Sequence, residues 1–156
     1  MSSLRFDRHG SNGNGNGNGN GNHRRHKISV MLVDDDPAFL RLTEMFLQKR
    51  YADELEVVGT AGTGEECLTL AQLLAPEVVL MDLSMPGMGG LGTIPLLHIL
   101  FPQTCVIALT SEDGERHRRL VLAAGGQGLV TKSSVRTNLF PAIKRAIKEE
   151  KIEALV

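Results

Sequence analysis

Five short apolar runs recur along this chain, and a segment with helical spacing lies between each run and the next. The runs cover residues 28–33, 55–59, 77–81, 104–109 and 128–131 and are rich in valine, isoleucine and leucine. They lack clean alternation of apolar and polar residues, which is typical of strands buried on both faces of a parallel sheet. Strands that alternate with helices in this way predict an α/β fold.

The segments between and after these runs place apolar residues three or four positions apart, as the buried side of a helix requires. We predict that the first helix buries Phe39, Leu42, Met45 and Phe46. The predicted helices cover residues 37–50, 64–74, 91–100, 115–124 and 135–151. Five βα units in about 125 residues predict a flavodoxin-like, doubly wound (βα)5 sandwich with a five-stranded parallel sheet.

The first 27 residues differ in composition from the rest of the 156-residue chain. Asn and Gly alternate from residue 12 to residue 22, which gives high backbone entropy and no apolar side chains to bury. We predict a disordered, Asn/Gly-rich basic tail at residues 1–27 and one folded domain at residues 28–151. Residues 152–156 are interpreted as a C-terminal tail or the start of a linker.

The charge distribution and the cysteines indicate which classes of partner and which cellular compartment to expect. Residues 1–27 contain five Arg or Lys and one Asp, whereas the whole chain has a formal net charge of −1, so the folded part is mildly acidic. An acidic domain argues against direct nucleic-acid binding. Cys67 and Cys105 lack metal-ligand spacing and are predicted to be buried free thiols. With no membrane-length apolar stretch and no secretory signal, the sequence predicts a cytoplasmic protein without a membrane partner.

Polar side chains follow four of the predicted strands at the point where each strand ends. They are Asp34 and Asp35 after the first run, Asp82 after the third, Thr110 after the fourth and Lys132 after the fifth. Because the carboxyl ends of parallel strands meet at one edge of a sheet, we expect these side chains in one crevice. Three carboxylates there would repel one another unless a cation lies between them, and Mg²⁺ prefers oxygen ligands. No Cys or His lies near these motifs, which argues against zinc or copper.

Asp82 differs from the other two aspartates because an irregular loop, residues 83–87, is predicted to follow it. A carboxylate presented in this way can act as a nucleophile toward phosphorus and form an aspartyl phosphate. Thr110 would then hydrogen-bond one phosphoryl oxygen, and Lys132 would bring a positive charge to another. Taken singly, each residue also fits a structural role, such as an aspartate that caps a helix. The prediction therefore depends on their joint occurrence in this order.

These residues resemble the receiver domain of two-component response regulators, and the resemblance runs from about residue 27 to residue 151. It rests on the acidic pair after the first strand, on Asp82 with the Met-Pro-Gly-Met stretch at 85–88, and on Thr110 and Lys132. The resemblance implies that Asp34 and Asp35 hold Mg²⁺ and that Asp82 is both a metal ligand and the phosphoacceptor.

The resemblance further implies that the backbone carbonyl of Ser84 is a metal ligand, that Thr110 is the switch hydroxyl and that Lys132 contacts the phosphoryl group. Phosphate would come from a sensor histidine kinase or a phosphotransfer protein. The output would be a changed surface on the fourth helix, fifth strand and fifth helix, read by a downstream protein partner. A homodimer through the fourth and fifth helices is common among such domains, so dimerisation is a further possibility.

Three positions depart from the pattern of that family. Gly89 stands where the family often has Asp, Ser133 follows the lysine where the family often has Pro, and Leu129 replaces the switch aromatic. We expect a different loop after the fifth strand and a different rearrangement of the signalling surface. None of the three substitutions removes a group that the phosphorylation chemistry requires.

Two other functions fit the same residues. A metal-dependent phosphohydrolase of this fold would use an aspartate nucleophile, but such enzymes commonly need a second carboxylate two positions later, where this chain has Ser84. A scaffold that binds partners without phosphorylation is the other alternative. The intact set of acidic, hydroxyl and lysine residues argues against a scaffold, because a scaffold could lose them without penalty.

Overall fold

A five-stranded parallel sheet forms the centre of the computed structural model, which describes residues 25–112 and 114–155. Its strands are β1 (Ile28–Val33), β2 (Leu55–Ala61), β3 (Val78–Asp82), β4 (Cys105–Thr110) and β5 (Gly128–Thr131). The strand order is β2-β1-β3-β4-β5, and every neighbouring pair is parallel. The predicted fold class is therefore confirmed.

Helices cover both faces of this sheet. They are α1 (Pro37–Arg50), α2 (Gly64–Leu74), α3 (Gly89–Leu100), α4 (Glu115–Ala124) and α5 (Phe140–Ala154). One apolar core lies between the sheet and the pair α1 and α5, and a second lies between the sheet and α2, α3 and α4. All residues of β3 and β4 are buried because helices pack on both sides of these central strands, as in doubly wound sheets generally.

The turn from β1 into α1 is set by the residues that follow the strand. Asp36 is the N-cap of α1, and its side chain accepts a hydrogen bond from the backbone N–H of Ala38. Pro37 occupies the first helical position, where a missing backbone donor costs nothing. The helix therefore begins immediately after the acidic run, and this short turn holds Asp34 and Asp35 at the end of the sheet.

The predicted stripe of α1 is partly wrong. Leu42 and Met45 are 67% and 66% exposed, whereas Thr43 and Leu47 are buried. Apolar residues three or four positions apart fit more than one possible buried side of this helix. The buried side includes the polar Thr43, so the sequence pattern does not identify it. The two cysteines, in contrast, are buried and free as predicted.

The segment after β5 also differs from the single predicted helix. Residues Lys132–Ser134 form a 3₁₀ turn and Val135–Leu139 a wider π turn before α5 begins at Phe140. Pro141, which lacks a backbone donor, lies in the first turn of α5 and suits a helix start there. α5 then runs to Ala154, so residues 152–154 of the predicted C-terminal tail are helical.

The predicted N-terminal tail lies mostly outside the described residues, which begin at residue 25. Residues 25–27 are exposed, and the Nε2 atom of His26 lies 2.5 Å from the Oε1 atom of Glu77. Among the described helices, none combines the length and the apolar character needed to cross a bilayer.

Candidate functional site

The register of the sheet brings the predicted site residues to one edge. Asp34 directly follows the last residue of β1, and Asp82 is the last residue of β3. Thr110, the last residue of β4, pairs with Thr131 of β5, and Lys132 follows. Since β1, β3, β4 and β5 are consecutive neighbours, these side chains meet above the carboxyl ends of the strands, where such sheets bind ligands.

Three carboxylates converge at this edge. Asp34, Asp35 and Asp82 each offer an oxygen atom, and these atoms lie within 4.8 Å of one another. Asp34 and Asp82 are only 2% exposed, whereas Asp35 is open to solvent. The donor set consists of hard oxygens, which fits Mg²⁺ and does not fit a metal that prefers sulfur or imidazole. The residues present therefore suit the predicted cation.

Lys132 reaches into this carboxylate cluster from the end of β5. Its Nζ atom lies 2.6 Å from Asp34 Oδ2 and 3.4 Å from Asp82 Oδ1. Burial alone would lower the pKa of this ammonium group, but the hydrogen bond and charge of Asp34, together with the charge of Asp82, raise it overall. Lys132 is therefore held as a cation next to both buried aspartates.

The pKa of the Asp82 carboxyl is raised above its ordinary value, first by burial and further by the charge of Asp34. A backbone hydrogen bond from Ser84, at 3.2 Å to Oδ1, and the charge of Lys132 oppose this rise. A nearby cation would favour the ionised carboxylate further. A bound cation would therefore stabilise the ionised carboxylates of this site.

The two aspartates differ in how their oxygens are used. Asp34 Oδ1 accepts the backbone N–H of Asp36 at 2.9 Å, and Asp34 Oδ2 accepts Lys132. Among the described residues, the bonds to Asp82 both go to Oδ1, from Ser84 and Lys132. Asp34 is therefore anchored through both oxygens, whereas Asp82 keeps Oδ2 available.

Thr110 is 3% exposed and ends β4, one residue beyond the position that pairs with Asp82. Its Oγ1 atom accepts the backbone N–H of Glu112 at 3.2 Å, which leaves the hydroxyl hydrogen free to point toward another acceptor. Ser84 is exposed. The metal-ligand role of its carbonyl stays a prediction.

Two residues of the site were missed by the sequence interpretation. The Nζ atom of Lys132 lies 4.4 Å from the ring centroid of Phe39, in the range of a cation–π contact. Gly90 packs against the backbone next to Asp82, because a Cβ atom there would lie 2.2 Å from the Asp82 carbonyl oxygen. The pair Gly89-Gly90 in the sequence could have indicated a close backbone contact. The contact of Phe39 with Lys132 joins α1 to the end of β5, and no local sequence pattern indicates it.

The three residues that depart from the family pattern lie in β5, in the turn after β5 and at the start of α3. Leu129 is buried, with 6% of its surface exposed, and Ser133 is exposed in the turn after β5. Gly89 has a φ of 70°, in the left-handed region that favours glycine. Helix α3 thus begins at a residue in the left-handed conformation, which glycine adopts without strain.

Comparison with protein-family profiles matches residues 30–144 to the response regulator receiver domain. The response regulator GacA of Pseudomonas viridiflava is 38% identical over 118 residues, which are 75% of this chain and 54% of that protein. The oxygen regulatory protein NreC of Staphylococcus aureus is 35% identical over 121 residues, 77% of this chain and 55% of that protein. This chain therefore spans about half the length of the curated relatives it matches.

Solved structures give the same result for the fold. The signal receiver domain of the putative response regulator NarL from Mycobacterium tuberculosis superposes with a TM-score of 0.68 and 28% identity, covering 80% of this chain and 97% of that one. A CheY-like receiver domain protein from Methanospirillum hungatei superposes with a TM-score of 0.70 and 26% identity, covering 82% and 99%. With its sheet order and acidic edge, the chain belongs to the family of response regulator receiver domains of two-component systems.

Proposed function

We propose that this receiver domain accepts a phosphoryl group on Asp82 from a histidine kinase or a phosphotransfer protein, in a reaction that depends on Mg²⁺. The observation that carries the proposal is the unequal use of the two buried aspartates. Both oxygens of Asp34 accept hydrogen bonds, whereas the bonds to Asp82 from the described residues go to Oδ1. Asp82 Oδ2 is then the oxygen available to attack phosphorus.

In this reaction Asp82 Oδ2 attacks the phosphorus of a phosphohistidine. A new O–P bond forms as the P–N bond breaks, and the imidazole leaves with the electron pair and takes up a proton. Asp34, Asp35 and Asp82, with the Ser84 carbonyl, would hold Mg²⁺, which supplies positive charge to the transferring group when bound.

Two other residues would act on the phosphoryl oxygens. The hydroxyl of Thr110 donates a hydrogen bond to one of them, since its own oxygen is already held by the Glu112 backbone. The ammonium group of Lys132, which already lies 3.4 Å from Asp82, contacts another. Together these two groups would stabilise the charge that develops on the phosphoryl oxygens.

The phosphorylated domain would signal through a changed protein-interaction surface formed by α4, β5 and α5. Because Leu129 stands in β5 in place of an aromatic residue, the change would be carried by Thr110 and the turn after β5 rather than by a rotating ring. We propose a downstream protein as the partner, with no direct nucleic-acid contact, and a cytoplasmic location where kinases have access to ATP.

The phosphohydrolase alternative is not favoured. Position 84, where such enzymes commonly have a second carboxylate, is a serine, and its backbone N–H binds the Asp82 carboxylate.

The test is to incubate the full chain with Mg²⁺ and acetyl phosphate and to detect a phosphoryl adduct that is labile to hydroxylamine. We expect the adduct on the wild type, none on Asp82→Asn, and none when Mg²⁺ is chelated. Asp53→Asn, which changes an exposed aspartate before β2, is the matched control and should label normally. An adduct on Asp82→Asn equal to that on the wild type would reject the proposal.

A further inference from the structure

Helix α3 exposes large apolar side chains to solvent. Residues Gly89–Leu100 include no Asp, Glu, Lys or Arg. Ile94 and Leu97 are buried against the sheet, yet Ile99 is 72% exposed and Leu100 58%. His98 is exposed beside these residues, but exposed apolar side chains of this size that lie together make the outer side of α3 a candidate interface.

The neighbours of α3 carry opposite charges. α2 and α4 pack against the same face of the sheet as α3 and lie on either side of it. α2 has two exposed glutamates, Glu65 and Glu66, and no Lys or Arg, whereas α4 has three exposed arginines and a single glutamate. From α2 through α3 to α4, the surface therefore changes from acidic to uncharged to basic. We call this surface of α2, α3 and α4 the three-helix face.

We propose that a second copy of this chain covers the three-helix face, related to the first by a two-fold axis parallel to α3. Such a rotation places α3 against α3, and it places the acidic α2 of each protomer opposite the basic α4 of the other. An axis across the helices would instead set α2 against α2 and α4 against α4, where like charges repel. Charge complementarity thus selects one of the two rotations that the symmetry allows.

The position of the charges along the helices supports this arrangement. α2, α3 and α4 each follow a strand of one parallel sheet and therefore run in the same direction. Glu65 lies in the first turn of α2, and Arg116 and Arg119 lie in the first half of α4. Under the proposed rotation these two ends face each other across the interface, with the uncharged α3 between them. Ile99 and Leu100 lie at the other end of α3, so the charged residues would border the apolar patch on one side, as the polar rim of a protein interface does.

This inference is independent of the phosphoryl chemistry, and it differs from the dimer through the fourth and fifth helices that the family resemblance suggested. α5 packs on the opposite face of the sheet, together with α1. The proposed dimer covers α4, which also belongs to the proposed signalling surface, and leaves α1 and α5 free for other partners.

The first test is the molar mass of the full chain by sedimentation velocity over a range of micromolar concentrations. We expect a reversible dimer, which Ile99→Glu weakens by about a hundredfold or more because it buries an unpaired carboxylate. Leu42→Glu is the matched control, since Leu42 on α1 is 67% exposed and lies on the other side of the sheet. Ile99 is 72% exposed, so thermal unfolding should show that the folded monomer tolerates its replacement.

The second test exchanges charges between helices. Glu65→Arg and Arg119→Glu should each weaken the dimer, and the two together should restore much of the lost affinity. A wild-type protein that stays monomeric would overturn the proposal. A dimer that Ile99→Glu leaves intact, or one that Leu42→Glu dissociates, would overturn it equally. Single charge reversals without effect would reject the proposed rotation.

Discussion

Lys132 Nζ lies 2.6 Å from Asp34 Oδ2, closer than the 3.4 Å that separates it from Asp82 Oδ1. The lysine therefore neutralises part of the carboxylate cluster through Asp34, which is the residue expected to bind the cation. A divalent cation bound there would compete with the ammonium group for the same oxygens. A cation held by Asp34 would leave the lysine to interact with Asp82.

This competition makes a prediction about cation affinity. Lys132→Met should bind Mg²⁺ about tenfold more tightly than the wild type, because a positive charge a few ångströms from the site is removed. Calorimetric or NMR titration measures the change. Lys148→Met, which removes an exposed lysine of α5, is the control and should leave the affinity unchanged. An affinity for Lys132→Met equal to or weaker than that of the wild type would contradict the competition.

The Phe39 ring predicts a role in positioning Lys132. Phe39→Leu should slow phosphorylation by acetyl phosphate about two- to fivefold, because a cation–π contact contributes about 0.5–1 kcal/mol at a partly exposed site. Phe39→Tyr, which keeps the aromatic ring, should be phosphorylated at about the wild-type rate. Phe46→Leu removes a ring that packs on Tyr51 instead and serves as the control. Equal rates for all of these variants would show that the ring does not position the lysine.

Gly90 predicts a stability effect at the phosphoacceptor. A Cβ atom there would lie 2.2 Å from the Asp82 carbonyl oxygen and 2.8 Å from the Leu83 Cα, and backbone atoms have little room to yield. Gly90→Ala should lower the free energy of unfolding by about 1–3 kcal/mol, as overpacking does in cores. The measurement is urea unfolding followed by circular dichroism.

The control for that prediction comes from the same helix. At Gly92 the nearest atom to an added Cβ is the Cγ of the Met88 side chain, at 3.0 Å, and a flexible side chain can move. Gly92→Ala should therefore be tolerated or slightly stabilising, since alanine favours a helix by about 0.5–1 kcal/mol over glycine. Equal losses of stability for Gly90→Ala and Gly92→Ala would mean that the backbone at Asp82 does not need a glycine beside it.

The buried thiols predict how stability depends on pH. Burial raises the pKa of the Cys67 thiol from 9.0 to about 12, and burial, followed by the hydrogen bond with Glu150 and the charge of Glu150, raises the pKa of Cys105. The neutral thiols therefore stabilise the folded state fully below about pH 9, and this contribution is lost as the pH rises toward 12. Each thiol that ionises only in the unfolded chain lowers the free energy of unfolding by about 1.4 kcal/mol per pH unit.

Urea unfolding under reducing conditions at several pH values from 8 upward measures this slope. Cys67→Ala should make the decrease above pH 9 shallower than in the wild type, although its stability at pH 8 will be lower because of the cavity. A slope that is the same in both proteins would show that Cys67 ionises equally in the folded and unfolded states.

Much of the fold was predictable because the strands are buried on both faces and their sequences are almost wholly apolar. β1 and β5 begin and end where the sequence pattern placed them, and so do α1, α2 and α4. The remaining strand ends moved by one or two residues, because hydrogen bonding to neighbouring strands, and not side-chain type, decides where a strand ends. β2, for example, continues to Ala61 alongside β1.

The site was predictable to the extent that strand ends determine it. Asp34, Asp82 and Lys132 meet because each one ends or follows a strand, and strand ends are visible in the sequence. The contact of Phe39 with Lys132 was not predictable, since it depends on how α1 packs across the sheet. The exposure of Leu42 and the burial of Thr43 were missed for the same reason, because tertiary packing decides which of two possible stripes faces inward.

The most direct measurement locates the phosphoryl group itself. After reaction with acetyl phosphate and Mg²⁺, borohydride reduces an acyl phosphate to an alcohol and so converts a phosphorylated aspartate to homoserine. Peptide mass spectrometry then identifies the reduced position. We expect homoserine at position 82, and aspartate at positions 34 and 35. Homoserine at position 34 or 35, or unmodified aspartate at position 82 in a protein that has taken up phosphate, would contradict the assignment of Asp82 as the phosphoacceptor.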